Sequence, residues 1–176
     1  MKKQLAPQTL LYPVPVVLAT SGDINGRKNI ITLAWAGVVN SEPPMVGISV
    51  RPVRYSHDLI AQAREFVVNI PKADHLEAVK LCGSASGRTT DKFAATGLSA
   101  VPAAEVKAPL IAECPVNLEC RVKQVISLGS HDLFLGEIVA VHVSQEVLDE
   151  RGQIDPAKAH PLAYCQGNFW RGAVLL

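Results

Sequence analysis

The sequence lacks the short glycine and serine motifs that identify the commonest nucleotide-binding and hydrolase folds. It has no GxGxxG, no GxxxxGKS/T and no GxSxG pattern, and the glycines within residues 22–26 and 83–87 have the wrong spacing. A nucleotide bound by this chain would therefore not lie on a Rossmann or P-loop scaffold.

A recognisable metal-binding pattern is also missing. None of the four cysteines forms a CxxC pair, and no two histidines have the spacing of a zinc-binding helix. We therefore expect no metal site, and we interpret the cysteines as buried free thiols in a reducing cytosol. They are Cys82, Cys114, Cys120 and Cys165.

Charge of one sign and long apolar runs are scarce as well. The formal net charge is +1, from 17 basic and 16 acidic residues, without a basic block, so we expect neither nucleic acid nor a membrane surface as a partner. The longest apolar run, residues 30–39, is too short to span a bilayer. Pro7, Pro13 and Pro15 interrupt the N-terminal stretch, which argues against a signal peptide. We expect a soluble, cytoplasmic protein.

The residues that are present predict one globular domain rich in β-strands. The chain has 176 residues, of which 48% are apolar and 19% charged, and it shows no repeat or linker. Period-two alternation predicts strands that outnumber the helices and are mostly joined as hairpins. An antiparallel barrel, closed or partly closed, with small helices at its rim fits this pattern better than a doubly wound α/β sheet. The predicted strands cover residues 14–21, 29–33, 45–50, 65–70, 116–126 and 133–143, and helical segments cover 56–63, 73–81 and 90–95.

A cationic turn follows the strand that ends near residue 50. Pro52 stops this strand, Arg51 and Arg54 flank the stop, and Ser56 is in position to be the N-cap of the next helix. Positive charge, a hydroxyl and free helix N–H groups at one point suit a phosphate. The alternative is that the arginines are solvated loop residues and the serine is only a cap.

Two further stretches are candidates for binding. Residues 82–93 hold glycines, hydroxyl side chains, Arg88 and Lys92, which could bind an anion, with Asp91 orienting either cation; the alternative is a flexible loop. Residues 29–35 place Thr32 and Trp35 in an apolar run that could border a planar heterocycle, or Trp35 could be a core or interface aromatic. We also note Gly37 as a candidate bulge or point of close approach.

Taken in order, these stretches resemble the flavin reductase-like family, and its flavoredoxin-like branch in particular. The resemblance is carried by NIITLAW (29–35), ISVRPVRYSHDLI (48–60), EFVVNIP (65–71), SGRTTDKFAATGL (86–98), CPVNLECRV (114–122), GSHDLFLGEIVAVHV (129–143) and HPLAYCQGNFWR (160–171). It implies a single FMN-binding split-barrel domain over residues 1–176, antiparallel and of Greek-key type, with a core at about residues 12–171.

The resemblance also implies a homodimer with one FMN per subunit near the interface, and NADH or NADPH as a transient co-substrate. The catalytic chemistry would belong to flavin N5, with His131 as a possible participant. The implied FMN contacts are Thr32, Leu33, Ala34, Trp35, Ser49, Val50, Arg51, Arg54, Tyr55, Ser56, Ser86, Gly87, Arg88, Lys92, Phe93 and Trp170. Ser56 stands where members of the family often have threonine, which keeps the hydroxyl.

Three functions remain open from the sequence. The first is an NAD(P)H-dependent flavin or ferric reductase that passes electrons through bound FMN, to free flavin, iron or a partner monooxygenase. The second is a flavoredoxin-type electron carrier that does not use NAD(P)H directly, and the third is a non-catalytic flavin-binding module.

Overall fold

The computed structural model of the chain describes residues 1–172. The described strands are β1 (Val14–Pro15), β2 (Val17–Gly22), β3 (Lys28–Leu33), β4 (Ala36–Ser41), β5 (Pro44–Val50), β6 (Glu65–Ile70), β7 (Ala100–Val101), β8 (Leu110–Ile111), β9 (Val116–Ser127), β10 (Asp132–Val143), β11 (Leu162–Cys165) and β12 (Asn168–Arg171). The described helices are α1 (Tyr55–Ala63), α2 (Leu76–Ser84), α3 (Lys92–Thr96) and α4 (Pro156–Ala159), with 3₁₀ turns at Ala73–His75 and Gln145–Val147.

The main sheet rolls into a barrel because its two edge strands are consecutive in the chain. In the described part of the chain the strand order is β3-β2-β6-β9-β10-β5-β4, and every neighbouring pair is antiparallel. Only Ala34 and Trp35 connect β3 to β4, so the two edges must come together. The Ser49 N–H donates to the Trp35 carbonyl at 3.0 Å, which fixes this connection against β5. The predicted antiparallel barrel with helices at its rim is confirmed.

The two largest of three apolar clusters within residues 1–172 lie on the two faces of the sheet. Since side chains alternate along a strand, β2 serves both cores: Val17 and Ala19 face the barrel interior with Phe66 and Phe134, whereas Leu18 faces outward. The outer core is completed by α2 and α3, through the side chains Val79, Cys82 and Phe93. The rim helices are therefore held beside β3, at the open edge of the sheet.

One face of β9 differs from the simple alternation that its sequence predicts. Asn117 and Glu119 fall on the polar face, yet they are 6% and 0% exposed. The segment 100–112 covers this face, and its backbone N–H groups at residues 104–106 donate to the Glu119 carboxylate. Partner groups in a distant segment thus allow a charged side chain to be buried, which alternation alone does not reveal.

Smaller expectations were only partly correct. Residues 82–84 belong to α2 rather than to a loop, and the bulge of β4 lies between Val38 and Asn40 instead of at Gly37. The four cysteines are free, and all but the half-buried Cys165 are buried. None of the helices within residues 1–172 has the length and apolar character needed to cross a membrane.

Candidate functional site: a cleft at the open edge of the barrel

A cavity of about 190 Å³, here called the outer cavity, lies where β3 leaves the barrel. Its wall is formed by residues 31–35, by Ser49 and Arg51 at the end of β5, and by His131 from the β9–β10 turn. A smaller and more enclosed cavity of about 90 Å³, the inner cavity, lies beside it. The two are adjacent because Ile31, Arg54 and Gly83 line both, so together they form one cleft.

The stretches singled out in the sequence converge on this cleft. The predicted ring-binding stretch supplies Thr32, Leu33, Ala34 and Trp35 to the outer cavity. The cationic turn and the glycine-rich loop meet at the inner cavity, which is lined by Arg54, Tyr55, Ser56, Ser86, Gly87 and Lys92.

The N-terminus of α1 faces the inner cavity without a side-chain cap. Helix α1 begins at Tyr55 with Arg54 as its N-cap residue, so the prediction that Ser56 is the N-cap was wrong. The Ser56 hydroxyl instead accepts a hydrogen bond from the Asn29 amide at 2.8 Å. The N–H groups of Tyr55 and Ser56 have no intrahelical partner, and such groups at the positive end of a helix suit an anion.

Lys92 supplies a buried cation at the inner cavity. Its side chain is 4% exposed, and its ammonium donates to the carbonyls of Ile30 and Cys82, both at 2.8 Å. The part of the chain that the structure describes contains no carboxylate paired with it. Burial lowers the pKa of Lys92 from its ordinary value of 10.5, and the nearby Arg54 guanidinium lowers it further, although Cys82 acts in the opposite direction. An ammonium has three donors, so one remains for a ligand.

Asn29 and Gly87 form the close contact that shapes the inner cavity. Asn29 is 4% exposed, and its amide nitrogen donates to the Ser56 hydroxyl at the start of α1. The same amide group lies against the loop backbone at Gly87. A Cβ on Gly87 would lie 2.2 Å from the Asn29 Oδ1, so only glycine lets the loop backbone come this near. Sequence reasoning missed Asn29 as a site residue; the only available signal was a polar side chain at the start of an apolar strand.

The outer cavity has an aromatic wall that is partly open to solvent. Trp35 is 47% exposed, and its ring centroid lies 4.6 Å from that of His131. Burial lowers the pKa of His131 from its ordinary value of 6.5, and the positive charge of Arg51 lowers it further. The lowered pKa favours the neutral imidazole, and His131 Nδ1 lies 2.9 Å from the Ser130 hydroxyl.

Thr32 and Gly83 set the boundary between the two cavities. The Thr32 hydroxyl donates to the Val79 carbonyl of α2 at 2.5 Å, so it holds the helix against β3. Gly83 lies against the Thr32 side chain, and a Cβ there would approach the Thr32 Cβ at 3.4 Å. Gly83 was not among the predicted site residues, although it lines both cavities.

Four of the predicted contacts have side chains that line neither cavity. Val50 is 1% exposed in the barrel interior and Phe93 is 8% exposed in the outer core. Trp170 lies on β12 and is 59% exposed, away from the cleft of this chain. Arg88 is adjacent to the inner cavity, but its guanidinium is paired with Asp58 at 2.6 Å. Asp91 does not orient a cation, because its carboxylate caps α3 through the N–H groups of Phe93 and Ala94.

These residues fit a flavin mononucleotide. The inner cavity offers an unpaired buried ammonium, free helix N–H groups and a glycine contact that a Cβ would fill, which together suit a terminal phosphate. The outer cavity offers backbone and aromatic surface suited to a planar ring. No group of three or more histidine, cysteine, aspartate or glutamate side chains within residues 1–172 is arranged to hold a metal ion.

The fold is an antiparallel split barrel whose cleft has an aromatic wall at one end and a buried cation at the other. The family model for the "Flavin reductase like domain" matches residues 9–173, and the chain belongs to this family.

Known relatives agree with this assignment. Flavoredoxin of Desulfovibrio vulgaris (Miyazaki F) has 33% identity and a TM-score of 0.93, over 100% of this chain and 96% of that one. An FMN-binding protein from Thermus thermophilus has 28% identity and a TM-score of 0.84, over 98% and 97% of the two chains. An NADH:riboflavin 5'-phosphate oxidoreductase of Streptomyces pristinaespiralis is 30% identical over 155 residues, which are 88% of this chain and 79% of that protein.

Proposed function

We propose that this protein is an FMN-binding oxidoreductase that takes electrons from NADH or NADPH. The observation that carries the proposal is the buried Lys92 ammonium, which has no carboxylate partner within residues 1–172, at the more enclosed end of a cleft whose other end is aromatic. A buried cation is costly unless it meets a counter-charge, and a phosphate dianion in the inner cavity would supply that charge.

In this proposal each end of the cleft has a separate task. Lys92, Arg54 and the first N–H groups of α1 hold the phosphate, with Ser86 and Gly87 on the opposite side. Arg51 and Ser49, which line the outer cavity, would contact the ribityl chain. Residues 32–35 support the ring, and the neutral His131 offers a hydrogen-bonding group beside it. When bound, the flavin supplies the redox chemistry, and the protein supplies orientation and access.

The name of the Streptomyces relative supports NADH as the electron donor. The high structural similarity to flavoredoxin supports a second function, an electron carrier that does not react directly with NAD(P)H. A non-catalytic flavin-binding module is the third. The acceptor, whether free flavin, ferric iron or a partner monooxygenase, stays a prediction.

We also propose that the functional unit is a homodimer. Strand β4 is an edge strand of the main sheet, and its side chains Val38 and Val39 are 78% and 51% exposed. An exposed apolar edge strand beside the half-open outer cavity, where Trp35 lies, is a surface that a second copy could cover. That second copy would also complete the wall of the outer cavity.

The proposal is tested by mixing FMN-loaded protein, under anaerobic conditions, with NADH and separately with NADPH. We expect the visible flavin absorption to bleach with at least one of them. Bleaching with neither, but with a chemical reductant, would favour the carrier function. Protein that neither retains nor rebinds FMN would contradict the proposal altogether.

A further inference from the structure

An ion pair crosses the outer side of the inner cavity. Arg88, which follows Ser86 and Gly87, reaches Asp58 of α1, and the distance from Arg88 Nη2 to Asp58 Oδ2 is 2.6 Å. The same guanidinium lies over the Tyr55 ring, 5.2 Å from its centroid. Because Tyr55 and Gly87 line the inner cavity from opposite elements, this Arg88–Asp58 bridge joins the two walls of the cavity.

The side of the inner cavity next to β3 is closed by buried groups. Lys92 is bound to two backbone carbonyls, and Asn29 fills the space against Gly87 and Ser56. A ligand that enters from the outer cavity and continues beyond its first phosphate would therefore have to turn away from β3 toward solvent, and the half-exposed bridge between α1 and the loop lies on the solvent side.

FMN and FAD differ in this respect. FMN ends in a phosphate monoester, whereas in FAD a second phosphate and an adenosine continue from the first. We propose that the Arg88–Asp58 bridge makes the site selective for FMN over FAD, and this inference rests on the proposed FMN site. The bridge obstructs this path sterically.

The resemblance to the family implies a different role for Arg88, a direct contact with the FMN phosphate. The two roles give different results on mutation. A direct contact predicts that Arg88→Gln weakens FMN and FAD together. The bridge predicts that Asp58→Asn and Arg88→Gln have the same effect, and that this effect is a gain in FAD affinity.

The test measures dissociation constants of FMN and FAD, by calorimetry, for the wild type, Asp58→Asn, Arg88→Gln and the double variant. We expect the wild type to bind FMN more tightly than FAD. In each single variant the ratio of the two dissociation constants should fall about tenfold, which is the size expected for an exposed ion pair with a cation–π contact. The double variant should lose no more of the preference for FMN than either single variant does, because all three variants lack the same bridge.

Arg121→Gln is the matched control. Arg121 pairs with Glu105 at 3.0 Å with the same 52% exposure as Arg88, and neither partner lines the cleft. The Arg121→Gln variant should prefer FMN over FAD to the same extent as the wild type. A wild type that binds FMN and FAD equally well, or single-variant effects that add in the double variant, would overturn the inference and leave the proposed FMN site standing. A wild type that binds neither flavin would overturn both.

Discussion

Lys92 is the residue whose surroundings most require a bound anion. A lysine that is 4% exposed normally has a carboxylate partner, but among residues 1–172 the groups that accept from Lys92 are two backbone carbonyls. Its lowered pKa follows from burial and from Arg54, which are the same features that would attract a phosphate. The cost of burying this charge in the free protein would be offset by binding.

Lys92→Met should weaken FMN binding at neutral pH by about 10–100-fold, because a charge-assisted hydrogen bond is lost. In the wild type, FMN affinity should fall as the pH rises through the folded-state pKa, which lies below 10.5. The variant should show no such fall. Fluorescence titration of FMN between neutral and alkaline pH measures both effects, and a variant with wild-type affinity would exclude Lys92 from the phosphate site.

The contribution of Lys92 to the stability of the protein without FMN should change with pH in the opposite direction to the FMN affinity. Between the folded-state pKa of Lys92 and 10.5, the unfolded chain keeps a proton that the folded chain has lost. Stability without ligand therefore rises with pH in this window. Cys82, whose pKa burial raises to about 11, contributes a loss of stability over a similar range. The difference between wild type and Lys92→Met in urea unfolding measures the lysine together with its coupling to Cys82.

Gly87→Ala should weaken FMN binding without unfolding the protein. Its Cβ would lie 2.2–2.8 Å from the amide atoms of Asn29, so the loop or Asn29 must move, at a cost of about 1–3 kcal/mol. Gly26→Ala is the control, because a Cβ there would meet only the Asp23 Cβ, at 3.7 Å. FMN titration should show a loss only for Gly87→Ala, and equal affinities would contradict the assignment of this contact.

Among whole elements, the segment 100–112 depends on one buried carboxylate. Glu119 of β9 accepts from the N–H groups of Ala104, Glu105 and Val106, and from His142 Nε2 at 2.6 Å. Burial by itself would raise the pKa of Glu119, but these hydrogen bonds outweigh burial and the pKa is lowered from 4.5. The carboxylate therefore fixes the segment most firmly when it is ionised.

Glu119→Gln should lower the free energy of unfolding by about 2–3 kcal/mol, because an amide has one acceptor oxygen where the carboxylate has two. Wild-type stability from this group is present above pH 4.5 and is lost as the pH falls through the folded-state pKa. The variant should lack that part of the acid dependence. Urea unfolding at several pH values measures both.

Glu137→Gln provides the comparison for this element. Glu137 pairs with Lys123 on the barrel surface, so its substitution should cost less than about 1 kcal/mol. Equal losses in the two variants would mean that the buried carboxylate does not hold the segment.

The sequence predicted the secondary-structure elements better than the tertiary contacts between them. The run EFVVNI, closed by Pro71, placed β6 at residues 65–70 correctly, and period-two alternation placed the β9–β10 hairpin correctly. Alternation assumes that a strand buries one apolar face. It did not identify the buried polar face of β9, which depends on a segment distant in sequence. The N-cap prediction for Ser56 failed for a similar reason, since its hydroxyl is bonded to Asn29 across the site.

At the scale of the whole molecule, the proposed dimer should depend on β4. Val38→Glu puts a charge on an exposed edge strand, so it should shift the protein from dimer to monomer in sedimentation experiments. Ile154→Glu, in the connection after β10, is the control: it is also exposed, at 44%, and should leave the assembly unchanged. A wild type that is monomeric at all concentrations would contradict the proposal.

The convergence of separate stretches into one cleft could be predicted only through the family resemblance. The residues themselves indicated an anion at two places and a ring at a third, but nothing in their spacing brought them together. The short link of Ala34 and Trp35 between the two edge strands achieves this, because it rolls the sheet and brings β3 beside the end of β5. Such closure is a property of strand order, which local patterns do not contain.

The most direct test of the cleft is a calorimetric comparison of FMN with riboflavin, which share the ring and differ only in the phosphate. If the inner cavity holds the phosphate through Lys92, Arg54 and the start of α1, FMN should bind one per chain and about 100-fold or more tightly than riboflavin. Equal affinities for the two would show that these groups do not meet a phosphate, and would contradict the account at its centre.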